Sequence, residues 1–375
     1  MLDDVEEARL AERLIAHDTS DAAGLAVATD FVSGWLEGRG ADVTRRTYED
    51  REVLIARAGN GPVKIIFHGH LDVVPGRPDQ FLPRIDGDRL FGRGAYDMKG
   101  ALGAMMLAVC DLHDRPPEGA TVEFVMVPDE ERANPGRNAS EMLVADGLRA
   151  DMVICGEPTD MQVGVQAKGV LILEIDVEGR AAHGSTPWLG DNAVLRALEL
   201  YRRIESLPFT NASTPLFARP SVNLGRISGG DAVNKVPDAC RIDVDIRYLP
   251  GQDTEEILRQ VRDASPARVQ VSIARPPADT DPDHPLVTAL IGAASSYDDC
   301  TTSVGRNGAS DAVAFLEVGV PAVEFGPRGA GHHGPDEHVD LPSLAIYRRA
   351  LVDFARASGA LAPLMEAHRG GEALA

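Results

Sequence analysis

The sequence is short of cysteine and of positive charge. Its 375 residues include four cysteines, at positions 110, 155, 240 and 300, and no CxxC pair. This favours free thiols in a reducing compartment over a disulfide framework. Lysine and arginine number 37 against 58 aspartates and glutamates, which gives a formal net charge of -21. Nucleic acids and anionic membranes both require a basic patch, so we expect neither as a partner.

Long hydrophobic runs are also missing. No run reaches the roughly 18 apolar residues that a membrane-spanning helix needs. Residues 1–20 are acidic and amphipathic, without the basic start and apolar stretch of a secretory signal. We therefore expect a cytoplasmic protein.

The composition that is present, 44% hydrophobic and 25% charged residues, is that of an ordinary globular protein. The length suits two domains better than one. Through residue 167, apolar strands alternate with helices, which predicts an α/β domain with a largely parallel sheet. Polar residues follow several strand ends, where such sheets place their sites. The main predicted elements are the strands Lys64–Val74, Thr121–Val127 and Met152–Cys155 and the helix Asp97–Leu112.

The pattern changes at about Lys168. Three alternating strands and two helices predict a small α+β layer, one antiparallel sheet plus two helices. A loop rich in proline and aspartate follows near residues 276–285, and the α/β pattern then resumes. The predicted domains are therefore a discontinuous one at residues 1–167 and 279–375 and an inserted one at 168–278.

Several candidate metal ligands each have an ordinary structural alternative. His70 and Asp72 lie two apart at a strand end, so one face carries both, and a carboxylate behind a histidine orients its ring. A histidine bonded to a turn is the alternative. Asp97 opens a predicted helix and equally suits an N-cap. Glu130 and Glu131 follow a strand, where adjacent acids usually mark a solvated turn.

Glu157, after another buried strand, and His333, in a glycine-rich loop, complete the candidates. If these side chains converge, their carboxylates repel and several take up protons, whereas divalent cations remove the repulsion. Two histidines and three carboxylates suit two zinc ions with open coordination positions, although cobalt or manganese would also be accepted. The predicted ligands are His70, Asp97, Glu131, Glu157 and His333.

Eight motifs, in this order, resemble the dinuclear zinc amidohydrolase and peptidase family that includes succinyl-diaminopimelate desuccinylase, acetylornithine deacetylase, aminoacylase and glutamate carboxypeptidase. Any one motif is weak, but the ordered set is highly specific and runs through nearly the whole chain. The motifs are HGHLDVVPG (68–76), GRGAYDMKG (92–100), PDEE (128–131), GEPT (156–159), GRAAHGSTPWLGDNA (179–193), NKVPDACRIDVDIR (234–247), GASDA (308–312) and HGPDE (333–337).

The resemblance implies a role for each candidate. His70 and Glu157 would bind one metal, Glu131 and His333 the other, and Asp97 would bridge the two. Asp72 would orient His70. Glu130 would be the general base that takes a proton from the attacking water and passes it to the leaving amine.

The inserted segment resembles the family's lid and dimerisation domain, which implies a homodimer. His183 would reach the partner subunit's active site and donate to the oxyanion. Asn234 and Arg247 would bind the substrate's carboxylate, which a guanidinium can hold in a bidentate pair. On spacing alone, a histidine in a polar turn and a surface arginine are the alternatives.

Two places are less regular. His332 and His333 are adjacent, so either could be the ligand, and His333 is favoured because it stands four residues before Glu337. The run ERANPGRNAS (131–140) lacks the paired glycines that the family often has there, which predicts a loop with its own shape.

We therefore expect a metal-dependent hydrolase of the amide bond in an N-acyl amino acid, such as a desuccinylase or deacetylase. A dipeptidase or carboxypeptidase would need the same centre and a different pocket. A non-catalytic homologue is the alternative from another class, and the intact ligand set speaks against it.

Overall fold

The computed structural model describes residues 4–131, 137–264, 266–308 and 310–372. Most of the loop that follows Glu131, residues 132–136, thus lies outside the described residues. Two compact units divide the chain. The first comprises residues 1–165, 280–304 and 310–375, and the second comprises residues 166–279 and 305–309.

Helices and strands both occur throughout the described residues. The helices are α1 (Asp4–Ile15), α2 (Ala22–Gly38), α3 (Gly100–Asp114), α4 (Ala139–Ala145), α5 (Ala193–Ile204), α6 (Thr254–Asp263), α7 (Pro285–Ser295), α8 (Ala312–Leu316), α9 (Leu341–Ser358) and α10 (Ala362–Glu372). The strands are β1 (Val43–Tyr48), β2 (Arg51–Gly59), β3 (Val63–His70), β4 (Arg84–Asp86), β5 (Arg89–Phe91), β6 (Ala120–Val127), β7 (Met152–Cys155), β8 (Val163–Ala167), β9 (Gly169–Glu178), β10 (Ser221–Gly229), β11 (Ala239–Tyr248), β12 (Arg268–Arg275), β13 (Ala278–Asp279), β14 (Ser303–Arg306), β15 (Ala322–Glu324), β16 (Gly329–Ala330) and β17 (His338–Asp340). None of the described helices is long and apolar enough to cross a membrane.

The first unit is built on a mixed sheet in the order β1-β2-β6-β3-β7-β15-β8. Its four central strands, β6, β3, β7 and β15, run parallel. Strand β3 is buried along almost its whole length, as expected of a parallel strand covered on both faces. With the separate antiparallel sheet of the second unit, this confirms the predicted α/β class.

The register of the central strands brings their carboxyl ends to one edge of the sheet. His70 at the end of β3 pairs with Val127 at the end of β6, and His68 pairs with Cys155 at the end of β7. The residues that follow these strands, 128–131 and 156–157, therefore emerge beside His70. This edge is where open α/β sheets place ligand sites.

Helix α3 packs between the sheet and the outer helices. Twelve of its fifteen residues are buried, so it is apolar on every side rather than amphipathic. The helix begins at Gly100, three residues later than predicted, and Asp97 precedes it with φ of -122° and ψ of 96°. Asp97 is therefore not the N-cap of α3, and its side chain is free for another role.

The second unit consists of the antiparallel sheet β10-β11-β9-β12 with helices α5 and α6. Alternate residues of β9 and β11 are buried, which matches a sheet with one covered face. Their apolar side chains form one core with those of the two helices. Strand β12 was not predicted, although Val269, Val271 and Ile273 alternate with polar residues as in a half-buried strand. Most of its residues are exposed.

Candidate metal centre

His70 and Asp97 form the centre of the site. The His70 side chain is 1% exposed, and its Nε2 lies 3.1 Å from Asp97 Oδ1. Its other nitrogen, Nδ1, lies 3.0 Å from the backbone oxygen of Asp72, which fixes the ring orientation. Because Nδ1 is engaged in this way, Nε2 is the nitrogen that is available to a metal.

The Asp72 carboxylate orients the glutamate pair more directly than it orients His70. It lies 3.6 Å from His70 Nδ1, beyond hydrogen-bond distance, and strand β3 ends before it. Its two oxygens instead accept the backbone N–H groups of Glu130 at 3.2 Å and Glu131 at 3.0 Å. The fully buried Asp72 thereby fixes the turn that carries both glutamates.

An ion pair holds the same turn from its other side. Asp129, immediately before Glu130, lies with Oδ2 2.8 Å from Arg51 Nε, and both side chains are mostly buried. The other oxygen of Asp129 accepts the backbone N–H of Ala139 at 3.0 Å. The positions of Glu130 and Glu131 are therefore set from two directions.

The two adjacent histidines both face Asp97. His333 Nε2 lies 2.7 Å from Glu131 Oε1 and 3.2 Å from Asp97 Oδ2. His332 Nε2 contacts the same Asp97 oxygen. Asp97 thus has one oxygen directed at His70 and the other at the histidine pair, the arrangement that a bridging carboxylate requires.

Three groups of potential ligand atoms overlap at this point. In each group, the nitrogen and oxygen atoms lie within 4.8 Å of one another. The groups are His70, Asp97 and Glu157; Asp97, His332 and His333; and His70, Glu130 and Glu131. The structure therefore brings all five predicted ligands together with Glu130, and it adds His332.

Burial and mutual repulsion shift the pKa values of the acids and of His70 in the cluster. Desolvation, together with repulsion from Asp97, holds the pKa of Glu157 well above its ordinary value. Desolvation and the neighbouring acids do the same to the pKa of Glu130. Burial lowers the pKa of His70, but Asp97 and the nearby glutamates raise it well above the usual value. Divalent cations would satisfy these carboxylates and imidazoles at once, so the donor set fits them.

Arg93 and Glu337 belong to the site although no role was predicted for them. Glu337 Oε1 accepts the backbone N–H groups of Tyr96 and Asp97, each at 3.1 Å. Its Oε2 accepts Arg93 Nη1 at 2.6 Å, and Arg93 Nη2 donates to the backbone oxygen of His333 at 3.1 Å. This buried pair ties the Asp97 turn to the histidine loop. Both residues lie inside the recognised motifs, which is the only sequence signal for them.

The candidate substrate residues lie in the second unit. His183 is exposed, and its Nδ1 lies 2.7 Å from Ser185 Oγ. The neighbouring Gly184 donates its N–H to the backbone oxygen of Asn234 at 2.7 Å, so the segments of His183 and Asn234 lie side by side. Arg247, on β11, holds Asp245 through Nε at 2.8 Å and Nη2 at 3.2 Å. A substrate carboxylate would have to compete with Asp245 for this guanidinium.

A sequence model of peptidase family M20/M25/M40 matches residues 66–357 of the chain, well over half of its length. The chain belongs to this family. The finding confirms the resemblance in the sequence motifs, and it makes the protein a hydrolase of a family whose metallopeptidases use divalent metal ions.

Proteins with several different activities are similar to this chain in sequence or in fold. A succinyl-diaminopimelate desuccinylase from Sphingopyxis alaskensis is 29% identical over 322 residues, 80% of this chain and 84% of that protein. An acetylornithine deacetylase from Myxococcus xanthus is 32% identical over 375 residues, 91% of this chain and 95% of that protein. The solved structure of an M20 family metallo-carboxypeptidase from Sulfolobus solfataricus has a TM-score of 0.76 at 18% identity, over 95% of this chain and 100% of that chain. At that identity, the structural likeness shows the fold alone.

The buried pair of Arg93 and Glu337 generates a prediction about stability and metal binding. The substitution Glu337→Gln leaves the Arg93 guanidinium buried without its counter-charge, which typically costs about 3–5 kcal/mol of unfolding free energy. We expect this loss in urea unfolding, together with weaker metal retention against a chelator, because the Asp97 turn loses its anchor. Glu256→Gln, in an exposed pair with Arg259, is the matched control. It should change the unfolding free energy by about 1 kcal/mol or less and leave metal retention unchanged. Equal behaviour of the two variants would contradict the positioning role.

Proposed function

We propose that the enzyme hydrolyses the amide bond of an N-acyl amino acid. The reaction would use two divalent metal ions, with zinc as the first candidate, at the site described above. The observation that carries the proposal is the convergence of His70, Asp97, Glu131, Glu157 and His333 around one shared carboxylate. Cobalt and manganese accept the same ligand types. The names of the two sequence relatives support an acylated amino acid as substrate.

The candidate ligands would form two metal-binding positions. His70 and Glu157 would hold one ion and Glu131 and His333 the other, with Asp97 shared between them. When bound, the ions supply Lewis-acid polarisation of the amide carbonyl and a water of lowered pKa. Asp72 keeps Glu130 and Glu131 in fixed positions through their backbone N–H groups, so that one glutamate can bind while its neighbour stays free.

Glu130 is the proposed general base. One of its carboxylate oxygens lies within 4.8 Å of a ligand atom of His70 and of Glu131, beside the proposed metal positions. A pKa raised by desolvation brings a carboxylate nearer to the pH at which it can both accept and release a proton. Glu130 would take the proton of the water and then deliver it to the leaving amine nitrogen.

The second unit is proposed to act as the lid and dimerisation domain of a homodimer. His183 would donate to the developing oxyanion in the partner subunit's site, and Asn234 and Arg247 would hold the substrate carboxylate. If His183 acts in trans, mixing the inactive variants His183→Ala and Glu130→Ala should restore activity, because a mixed dimer contains one complete site. Mixed dimers without activity would contradict the arrangement.

Adjacent glutamates provide a sharp test of the chemistry. In Glu130→Gln we expect kcat to fall by about 10²–10⁴-fold, the usual contribution of general-base catalysis, with metal content preserved. In Glu131→Gln we expect the loss of one metal ion. Elemental analysis and steady-state kinetics on both variants would check this, and a Glu130→Gln enzyme with most of its activity would refute the mechanism.

A substrate panel separates the proposed deacylase from an exopeptidase. The exopeptidase is the second candidate because a metallo-carboxypeptidase has the same fold. The panel contains succinyl-diaminopimelate, acetylornithine, several acetylated amino acids and several dipeptides. We expect hydrolysis of an acylated amino acid that stops with a chelator and returns with zinc or cobalt. Turnover confined to the dipeptides would replace the deacylase with an exopeptidase.

A further inference from the structure

His332 and His333 occupy the centre of a tight turn. Gly334 donates its N–H to the backbone oxygen of Gly331 at 2.6 Å, which closes the turn around the two histidines. His333 has a φ of 58°, a left-handed conformation that few residues other than glycine adopt. Consecutive side chains of an extended strand point to opposite faces. The turn instead allows both imidazoles to face Asp97.

The ring of His332 is directed at the bridging carboxylate. Its Nε2 contacts Asp97 Oδ2, the oxygen that also faces His333. The Tyr96 ring lies edge-on to His332 with centroids 6.4 Å apart, and Tyr96 is itself anchored by a hydrogen bond of 2.7 Å to Asp160. Asp97, His332 and His333 can each present a ligand atom within 4.8 Å of the other two.

The two histidines place their rings side by side at the Asp97 carboxylate. The ring centroids lie 4.2 Å apart, and both Nε2 atoms face Asp97 Oδ2. A single divalent cation could take up both Nε2 atoms together with this carboxylate. Imidazole nitrogens and carboxylate oxygens are both usual ligands of zinc.

We propose that His332 is a third imidazole ligand of the metal centre, in addition to His70 and His333. The inference rests on the proposed dinuclear centre and adds to it a residue that the motif pattern leaves without a role. One position would then have Asp97, Glu131, His332 and His333 as ligands, and the other would have His70, Asp97 and Glu157.

This unequal division has a chemical consequence. Two imidazoles at one position favour zinc, cobalt, nickel or copper over magnesium and manganese. The position with one imidazole has fewer protein ligands and keeps more room for water and substrate. The first equivalent of cobalt should therefore enter the histidine-pair position, and a chelator should remove that ion last.

In the test, the metal-free full chain is titrated with Co²⁺ at neutral pH. Binding is measured by calorimetry and by the visible absorption of the bound cobalt. The variants are His332→Ala and His332→Asn. Asparagine can still donate a hydrogen bond to Asp97 but is a poor metal ligand. His338→Ala is the matched control, because His338 follows on the same segment and lies 3.0 Å from a backbone oxygen, outside the three ligand groups.

We expect the unaltered chain and His338→Ala to bind two ions. In both His332 variants, one ion should bind more weakly by about tenfold or more, since even residues behind a ligand are typically worth about 10–100-fold in affinity. The absorption band of this weakly bound ion should shift, while the band of the other ion stays unchanged.

If His332→Asn titrates like the unaltered chain, His332 is only a hydrogen-bond donor and the proposal is overturned. Unchanged binding in His332→Ala overturns it as well. If the unaltered chain itself binds fewer than two ions, the dinuclear centre fails and this proposal fails with it.

Discussion

The structure of the site depends on one buried carboxylate, that of Asp97. Its two oxygens face opposite groups, with His70 on one side and the histidine pair on the other. Desolvation alone would raise the pKa of Asp97, but the three histidines that surround it hold the pKa well below the usual value. A carboxylate that stays ionised between two groups of imidazoles and acids is suited to bridge two cations. Every other candidate ligand has a donor atom within 4.8 Å of a donor atom of Asp97 or of His70.

The surrounding structure can be understood as a means of holding negative groups close together. The parallel strands β3, β6 and β7 bring their carboxyl ends to one edge, so that His70, the glutamate pair and Glu157 emerge side by side. Buried charges then fix the loops between them. Asp72 holds the backbone of the glutamate turn, and Glu337 with Arg93 holds the Asp97 turn against the histidine loop. Rigid support of this kind is what a metal centre needs to keep its ligands in place.

How far the sequence predicted the fold can be seen in particular elements. Strands β3 and β7 were predicted because central parallel strands read as continuous apolar runs. Strand β12 was missed although Val269, Val271 and Ile273 show the alternation typical of a strand. The predicted start of the helix α3, at Asp97, was wrong by three residues. An acidic residue before an apolar run suggests an N-cap as readily as a ligand.

The site was predictable as far as its motifs extend. The ligand candidates could be named, and the structure brings them together, while their individual roles stay predictions. Arg93 and Glu337 could not be given a role, because their contacts join residues 244 positions apart and no local pattern reports such a pairing. The Asp72 carboxylate also accepts the backbone N–H groups of the glutamate turn, which spacing along a strand could not reveal.

The most direct test of this account is the metal content of the chain after reconstitution with zinc, compared with that of Asp97→Ala. The account predicts two ions per chain for the unaltered protein. Because Asp97 is shared, it also predicts the loss of both ions in the variant, whereas Glu157→Ala should lose one. Two ions retained in Asp97→Ala, or none bound by the unaltered chain, would contradict the central role of this carboxylate.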